Sequence, residues 1–317
     1  MKKHTSIVQI NTEFVVIKNF VYLLVFSMIL LFSSCKKQIS TVEKLFPGKC
    51  DTTNLVKLAN FLSDEDVKAI ALSDNGYKTL KGIKEVPFSN DDFRFDTLDY
   101  YYWHEVISRN SDFRAVNFRS SDCSEGDFSN SDFRVSDIRW TSFFFSKMDS
   151  CDFSQSKMFH VYGTGASFNN CKFLGTNMFG MEAHNAMLRN CDFSNALMKD
   201  TEFIDSEFTG SKAVNVRFIR AVMQNARLDS MDLCFSDFTG SGLRGVKFNY
   251  SRLHNVNFQG SHLQGADFTG ADLKGTNFFG AELENTIFKN AINIPSQIKH
   301  LIKDGIATGI LQDMGKK

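Results

Sequence analysis

The sequence predicts an all-β solenoid, and three features of the chain predict it. From Phe113 to Phe288, every fifth residue belongs to one series of 36 positions with no insertion. Of these, 32 are Phe, Leu, Met or Ile, and the others are Cys123, Gly163, Ala183 and Ala213. Two residues before each of these centres the side chain is small or β-branched, with Met181 and Met231 as the bulky exceptions. Two residues after the centre, Gly or Asn occupies 21 of the 36 units.

A period of five is neither the 3.6 of a helix nor the 2.0 of a simple strand, so it marks a repeat architecture. Gly and Asn tolerate positive φ at the lowest cost, which puts a turn after each centre. Each unit is then a short extended segment and a turn, with one large and one small side chain inward. The remaining positions, rich in Asp, Asn, Arg, Ser and Lys, face water.

Ala266-Asp267-Phe268-Thr269-Gly270, Ala271-Asp272-Leu273-Lys274-Gly275 and Ser131-Asp132-Phe133-Arg134 resemble the repeat of the pentapeptide repeat family. The resemblance covers about residues 109–293. It implies four units per coil and a right-handed quadrilateral β-helix of about nine coils, and the residues on either side predict short α-helical caps at both ends. Like residues then stack on like, as in the column Phe113, Phe133, Phe153, Phe173, Phe193. Such stacks depend on nearest-neighbour contacts, and both open ends need caps.

The N-terminus carries Lys2, Lys3 and Lys18, then an apolar run from Phe20 to Phe32, then Ser33-Ser34-Cys35. A basic segment, a short apolar core and small residues make an export signal. With Cys directly after the small residues, 1–34 resembles a bacterial lipoprotein signal peptide. That resemblance implies lipid attachment at Cys35 and a protein anchored in the cell envelope, and Lys36-Lys37-Gln38, where surface-displayed lipoproteins carry an acidic cluster, points to the periplasmic face of the outer membrane. Phe32 stands where such signals prefer Leu, and the alternative is a single transmembrane anchor. Residues 35–87 are expected to form a tether and a helical cap. Ser63-Asp64-Glu65-Asp66 reads as an N-cap with acids in the first turn.

Residues 88–108 keep the phase at Phe88, Phe93, Leu98 and Trp103, but Asp91 and Asp96 fall on the small inward position, where an unpaired carboxylate is costly. They are expected to form a transitional coil or loop. Pro295 suits a first helical turn, so 294–317 is expected to be a C-terminal helical cap. The tail from Ile306 continues over the last coil or pairs with a second copy of the chain.

The chain has 36 basic and 36 acidic side chains. The best-known members of the family mimic DNA with an acidic surface and bind DNA gyrase; balanced charge and export both argue against that role and against nucleic acid as a partner. Cys151, Cys171 and Cys191 lie one coil apart in the small inward column and are expected to stand in for Ser as small buried residues, leaving a disulfide as the minor alternative. No catalytic constellation, metal cluster or cofactor motif stands out, and the outward Asp residues read as a solvated face.

One region breaks the pattern twice. Arg139, Phe159 and Phe179 share an outward column, Trp140 and His160 the next, and Tyr162 the one after, with Phe144 and Phe145 extending the corner. Behind them the centres are small, at Gly163 and Ala183. A cluster of outward aromatics is the candidate binding patch. The alternative is that 88–104, with Tyr100-Tyr101-Tyr102-Trp103, folds over the corner and makes it core. The expected function is a non-enzymatic, lipid-anchored scaffold for an envelope protein; the alternative is a carbohydrate-like ligand site or an enzyme using the same corner.

Overall fold

The computed structural model describes residues 91–308. Within them the five-residue pattern of bridge and turn runs unbroken from residue 91 to residue 290. Parallel bridges join each unit to the one twenty residues on, as in Asp112↔Asp132, Asn117↔Asp137, Asp122↔Ser142 and Asp127↔Lys147. Four units therefore make one coil, and four ladders run along the solenoid, one per face. We number the faces by their inward centres: first (Phe93, Phe113, Phe133), second (Leu98, Phe118, Ile138), third (Trp103, Cys123, Phe143) and fourth (Ser108, Phe128, Met148).

The backbone bonding of one unit explains its composition. The N–H of Asp112 donates to Asp91 in the coil before, at 2.8 Å, and that of Phe113 to Asp132 in the coil after, also at 2.8 Å. The N–H of Ala115 reaches Arg134 at 3.0 Å, and that of Val116 closes the turn onto Phe113 at 3.2 Å. One donor is left, that of Arg114, and the Asp112 carboxylate accepts it at 3.1 Å. The same arrangement recurs at Asp192 with Ser194 and at Asp267 with Thr269, each at 3.0 Å. In other units the acceptor comes from the coil below, as when Asp149 takes the N–H of Asn169 at 2.8 Å. The Asp and Asn before the centre are thus more than a solvated face. They satisfy the one backbone donor the coil geometry leaves over.

Every fifth residue from Phe95 to Asn290 has φ between 52° and 75°. Only the second central residue of each turn is left-handed, the type II pattern that Gly and Asn suit. Large residues also occupy it, among them Val135, Trp140, Phe145 and Tyr250.

Inside, the columns stack as expected. The rings of Phe113 and Phe133 are 4.5 Å apart with an interplanar angle of 5°, and those of Phe173 and Phe193 are 4.9 Å apart at 1°. In the small column, Ser211 and Ser251 donate to the carbonyls of Leu188 and Leu228 at 2.7 and 2.6 Å. Cys151, Cys171 and Cys191 make the same contact through Sγ, at 3.1, 2.9 and 3.0 Å. All three are buried free thiols that occupy a serine's place.

Two expectations change. Residues 91–108 are a regular coil rather than a transition, with Trp103 buried as a centre and edge-on to Phe118 at 5.5 Å. Asp91 is exposed and Asp96 half-buried, so the carboxylates that argued against this coil do not enter the core. The C-terminal cap is also not purely helical. Helix α1, Ser296–Lys299, is one turn long, and strands β1, Ile302–Lys303, and β2, Ile306–Ala307, form an antiparallel hairpin. Ile306 bridges Ile287 antiparallel, the Phe288 N–H donates to Gly305 at 2.7 Å, and that of Asn285 donates to Ala307 at 3.0 Å. A helix alone could not pair the open edge of the last coil; a strand does. The start of the tail thus continues over its own last coil.

The signal at 1–34, Cys35, the tether and cap at 35–87, and the end of the tail lie outside the described residues. Among the described residues no helix is long and apolar enough to cross a membrane.

Candidate aromatic interface

The αL side chains lean toward the next coil, and this orders the aromatic corner. A side chain on Gly165 would begin 2.4 Å from the ring of Phe145, twenty residues earlier, and one on Gly180 would begin 2.5 Å from the ring of His160. Tyr250 and Gly270 repeat the arrangement at 2.6 Å. A large ring at the turn therefore lies flat where glycine follows one coil on.

The predicted patch residues sit along the third face and the two corners that bound it. Their contacts fall into two groups. In the first, the Arg139 guanidinium lies 5.1 Å from the centre of the Trp140 ring and 5.9 Å from that of Phe159, and His160 meets Phe179 edge-on at 5.5 Å. Arg139 is fixed by Asp137 of its own unit, with both hydrogen bonds at 2.7 Å. In the second group, Phe144 and Tyr162 lie 6.0 Å apart, with Phe145 beside them. Trp140 is 45% exposed and Phe145 65%. Residues 91–104 do not cover this corner, because they are spent in the first coil, hydrogen-bonded to residues 112–122. The covered-corner alternative therefore fails for that segment.

The small centres behind the patch are not a weak core. A side chain on Gly163 would begin 3.2 Å from the Met181 methyl and 3.1 Å from Phe168. Met181 is fully buried. The oversized residue fills the space left by the undersized centres, so the surface above rests on packed core.

A second cluster on the same face is marked by no local sequence motif. His104, Glu105 and Glu125 bring one ligand atom each within 4.8 Å of one another, and Tyr102 stacks on His104 at 5.5 Å. The twenty-residue interval between Glu105 and Glu125 was the signal that could have found it.

Family models match this chain: a pentapeptide repeat region over residues 211–288, and pentapeptide repeats (8 copies) over 109–134 and 182–212. No curated protein sequence matches it significantly. Among solved structures it is similar to HetL, a pentapeptide repeat protein involved in heterocyst differentiation regulation in the cyanobacterium Nostoc. Identity there is 17%, coverage 71% of this chain and 96% of that chain, and the TM-score 0.45. Full-length QnrB1, a plasmid-mediated fluoroquinolone resistance protein, has 16% identity, covering 62% of this chain and 93% of that chain, with a TM-score of 0.47. A pentapeptide repeat protein of the Arabidopsis thaliana thylakoid lumen has 24% identity, covering 44% and 83%, with a TM-score of 0.18. The matched segments lie within one uninterrupted run of five-residue units of the same bridge-and-turn pattern, and over residues 109–134 and 182–288 the chain carries the repeats of the pentapeptide repeat family.

Proposed function

We propose that this protein is a non-enzymatic interaction scaffold, anchored in the bacterial cell envelope through a lipid on Cys35, whose third face docks a protein partner around Trp140. The exposed aromatic cluster carries this reading. Trp140, Phe144 and Phe145 are exposed together along one face, with Tyr162 against Phe144, whereas Phe235, Tyr250 and Phe279 are exposed elsewhere on the solenoid. The backbone beneath is bonded on both sides, so the rings are held in place before a partner arrives, which lowers the entropy cost of docking. Rigid aromatic groups of this kind concentrate binding energy at interfaces.

The test is crosslinking in the native envelope with wild-type protein and a Trp140→Ser/Phe145→Ser variant, followed by mass spectrometry. The variant keeps the solenoid by circular dichroism and loses a partner that wild type captures; an unchanged set of partners would sink the proposal. Binding of a defined oligosaccharide by wild type but not by Trp140→Ser would favour the ligand-site reading instead. Cys35→Ser should move the protein from the membrane to the soluble fraction, and unchanged membrane association would refute the lipid anchor.

A further inference from the structure

The net charge of the chain conceals how its charges are distributed among the four faces. The outward positions of the third face are 102, 104 and 105 and every twentieth residue beyond them. They hold eight carboxylates and one arginine, Arg244, with no lysine. The corresponding positions of the first face, 92, 94 and 95 and onward, hold seven acids and seven bases.

The ladders differ in the same way. On the first face the bridged residues alternate in sign: Lys172↔Asp192, Asp192↔Lys212, Lys212↔Asp232 and Asp232↔Arg252. Where acids follow one another there, arginines interleave, as Arg114 does between Asp112 and Asp132 at 2.5 and 3.7 Å. On the third face, Glu182 bridges Glu202 directly. Glu105 and Glu125 occupy successive turns of one column, and Glu282 and Glu284 flank one centre. Like charges directly opposite on a ladder are destabilising. His184, 3.5 Å from Glu202, is the histidine beside the Glu182–Glu202 pair.

On the third face Phe144, Phe145 and Tyr162 lie between these acidic stretches, with Glu105 and Glu125 in the coils before them and Glu182 and Glu202 in the coils after them. We infer that the third face docks a lysine- and arginine-rich amphipathic segment of a partner protein. This rests on the interface reading above and names the chemistry of its partner. Apolar side chains of the segment would lie on Phe144, Phe145 and Tyr162, and a cation would sit on the open side of Trp140. Its other cations would meet the carboxylates and relieve the repulsion between Glu182 and Glu202. Both halves of the face are needed, since acids alone attract any cation and aromatics alone accept any apolar surface.

The experiment uses full-length protein in detergent and a fluorescently labelled amphipathic Lys/Leu peptide, with a Glu/Leu peptide of equal length as control. Wild type binds the Lys/Leu peptide and not the Glu/Leu peptide. Glu182→Gln/Glu202→Gln weakens binding about tenfold, as expected for loss of complementary charge, and a tenfold rise in salt does the same. Trp140→Ser also weakens it, whereas Asp192→Asn, on the first face, does not. Thermal melts establish that each variant is folded. Binding that ignores Glu182→Gln/Glu202→Gln, or no binding by wild type, overturns the inference. So does displacement of the peptide by millimolar zinc or calcium acting at His104, Glu105 and Glu125, which would make the face a divalent-cation site. A native partner that depends on Trp140 but not on these glutamates, and carries no basic segment, ends this inference and leaves the interface reading standing. A native partner indifferent to Trp140 ends the interface reading itself.

Discussion

The methyl group of Met181 lies 3.2 Å from where a side chain on Gly163 would begin, so the two residues divide one volume between them. Each breaks the repeat alone, and together they conserve it. Met181→Ala should cost about 2–5 kcal/mol, because a buried side chain is removed from a site that cannot collapse. Gly163→Leu in the wild-type background should also destabilise, by overpacking. Combining Gly163→Leu with Met181→Ser restores the ordinary large and small positions and should be more stable than either single change. Urea denaturation of the three variants checks this, and simple additivity would show that the residues do not share the space.

Turn glycines separate two costs that are usually mixed. A side chain on Gly260 would meet nothing within 4 Å, yet φ there is 63°; one on Gly165 would meet the Phe145 ring. Gly260→Ala should therefore cost only backbone strain, about 1–2 kcal/mol. Gly165→Ala should cost more and displace Phe145, visible as a larger loss of stability that shrinks in a Phe145→Ser background.

The carboxylate of Asp267 accepts the N–H of Thr269 at 3.0 Å and its hydroxyl at 2.6 Å. Asp267→Ala should destabilise by about 1–2 kcal/mol, and Asp267→Asn by less, since an amide oxygen can still accept. Equal losses for the two would mean that charge rather than the backbone bond matters there.

Acid should weaken the solenoid through identifiable groups. The hydrogen bond from His262 holds Glu282 below the usual carboxylate range, against the effect of burial. At Asp232, burial pushes the value up, but the bonds from Arg252 and Cys234 outweigh it and the net shift is downward. A carboxylate depressed in the folded state contributes stability that is present above its unfolded value and lost as pH falls through its folded value. Melting temperature should therefore fall on acidification below about pH 4. Glu282→Gln with Asp232→Asn should flatten that fall, and an unchanged slope would exclude these two groups.

Burial raises the Cys171 thiol well above its ordinary value and that of Cys191 to about 12. Neither should react with a thiol reagent at neutral pH until the protein unfolds. Cys171→Ser should change stability by less than about 1 kcal/mol, because serine makes the same bond to a carbonyl elsewhere in the column. Rapid labelling of native protein would contradict the packing.

The repeat was legible from Phe113 to Phe288 because one large and one small inward residue recur every five positions, and nothing but a stacked coil satisfies that spacing. The patch at Trp140 was legible for the same reason, as a break in the pattern. Residues 91–108 were not, because Asp91 and Asp96 look like core violations until the first coil is seen to leave those positions open. The hairpin at Ile302–Ala307 was missed because a two-residue strand has no periodicity to read; the unpaired edge it covers exists only once the coils are stacked.

The sequence by itself determined the repeat, the inward columns and the positions of the turns, since these follow from side-chain size and φ preference within five residues. Only the tertiary structure decided how the residues of adjacent coils meet: that Met181 fills the space of Gly163, that Phe145 covers Gly165, and that Glu182 stands against Glu202. Coils stacked in register turn residues distant in sequence into nearest neighbours, and on the third face those neighbours are aromatic and acidic.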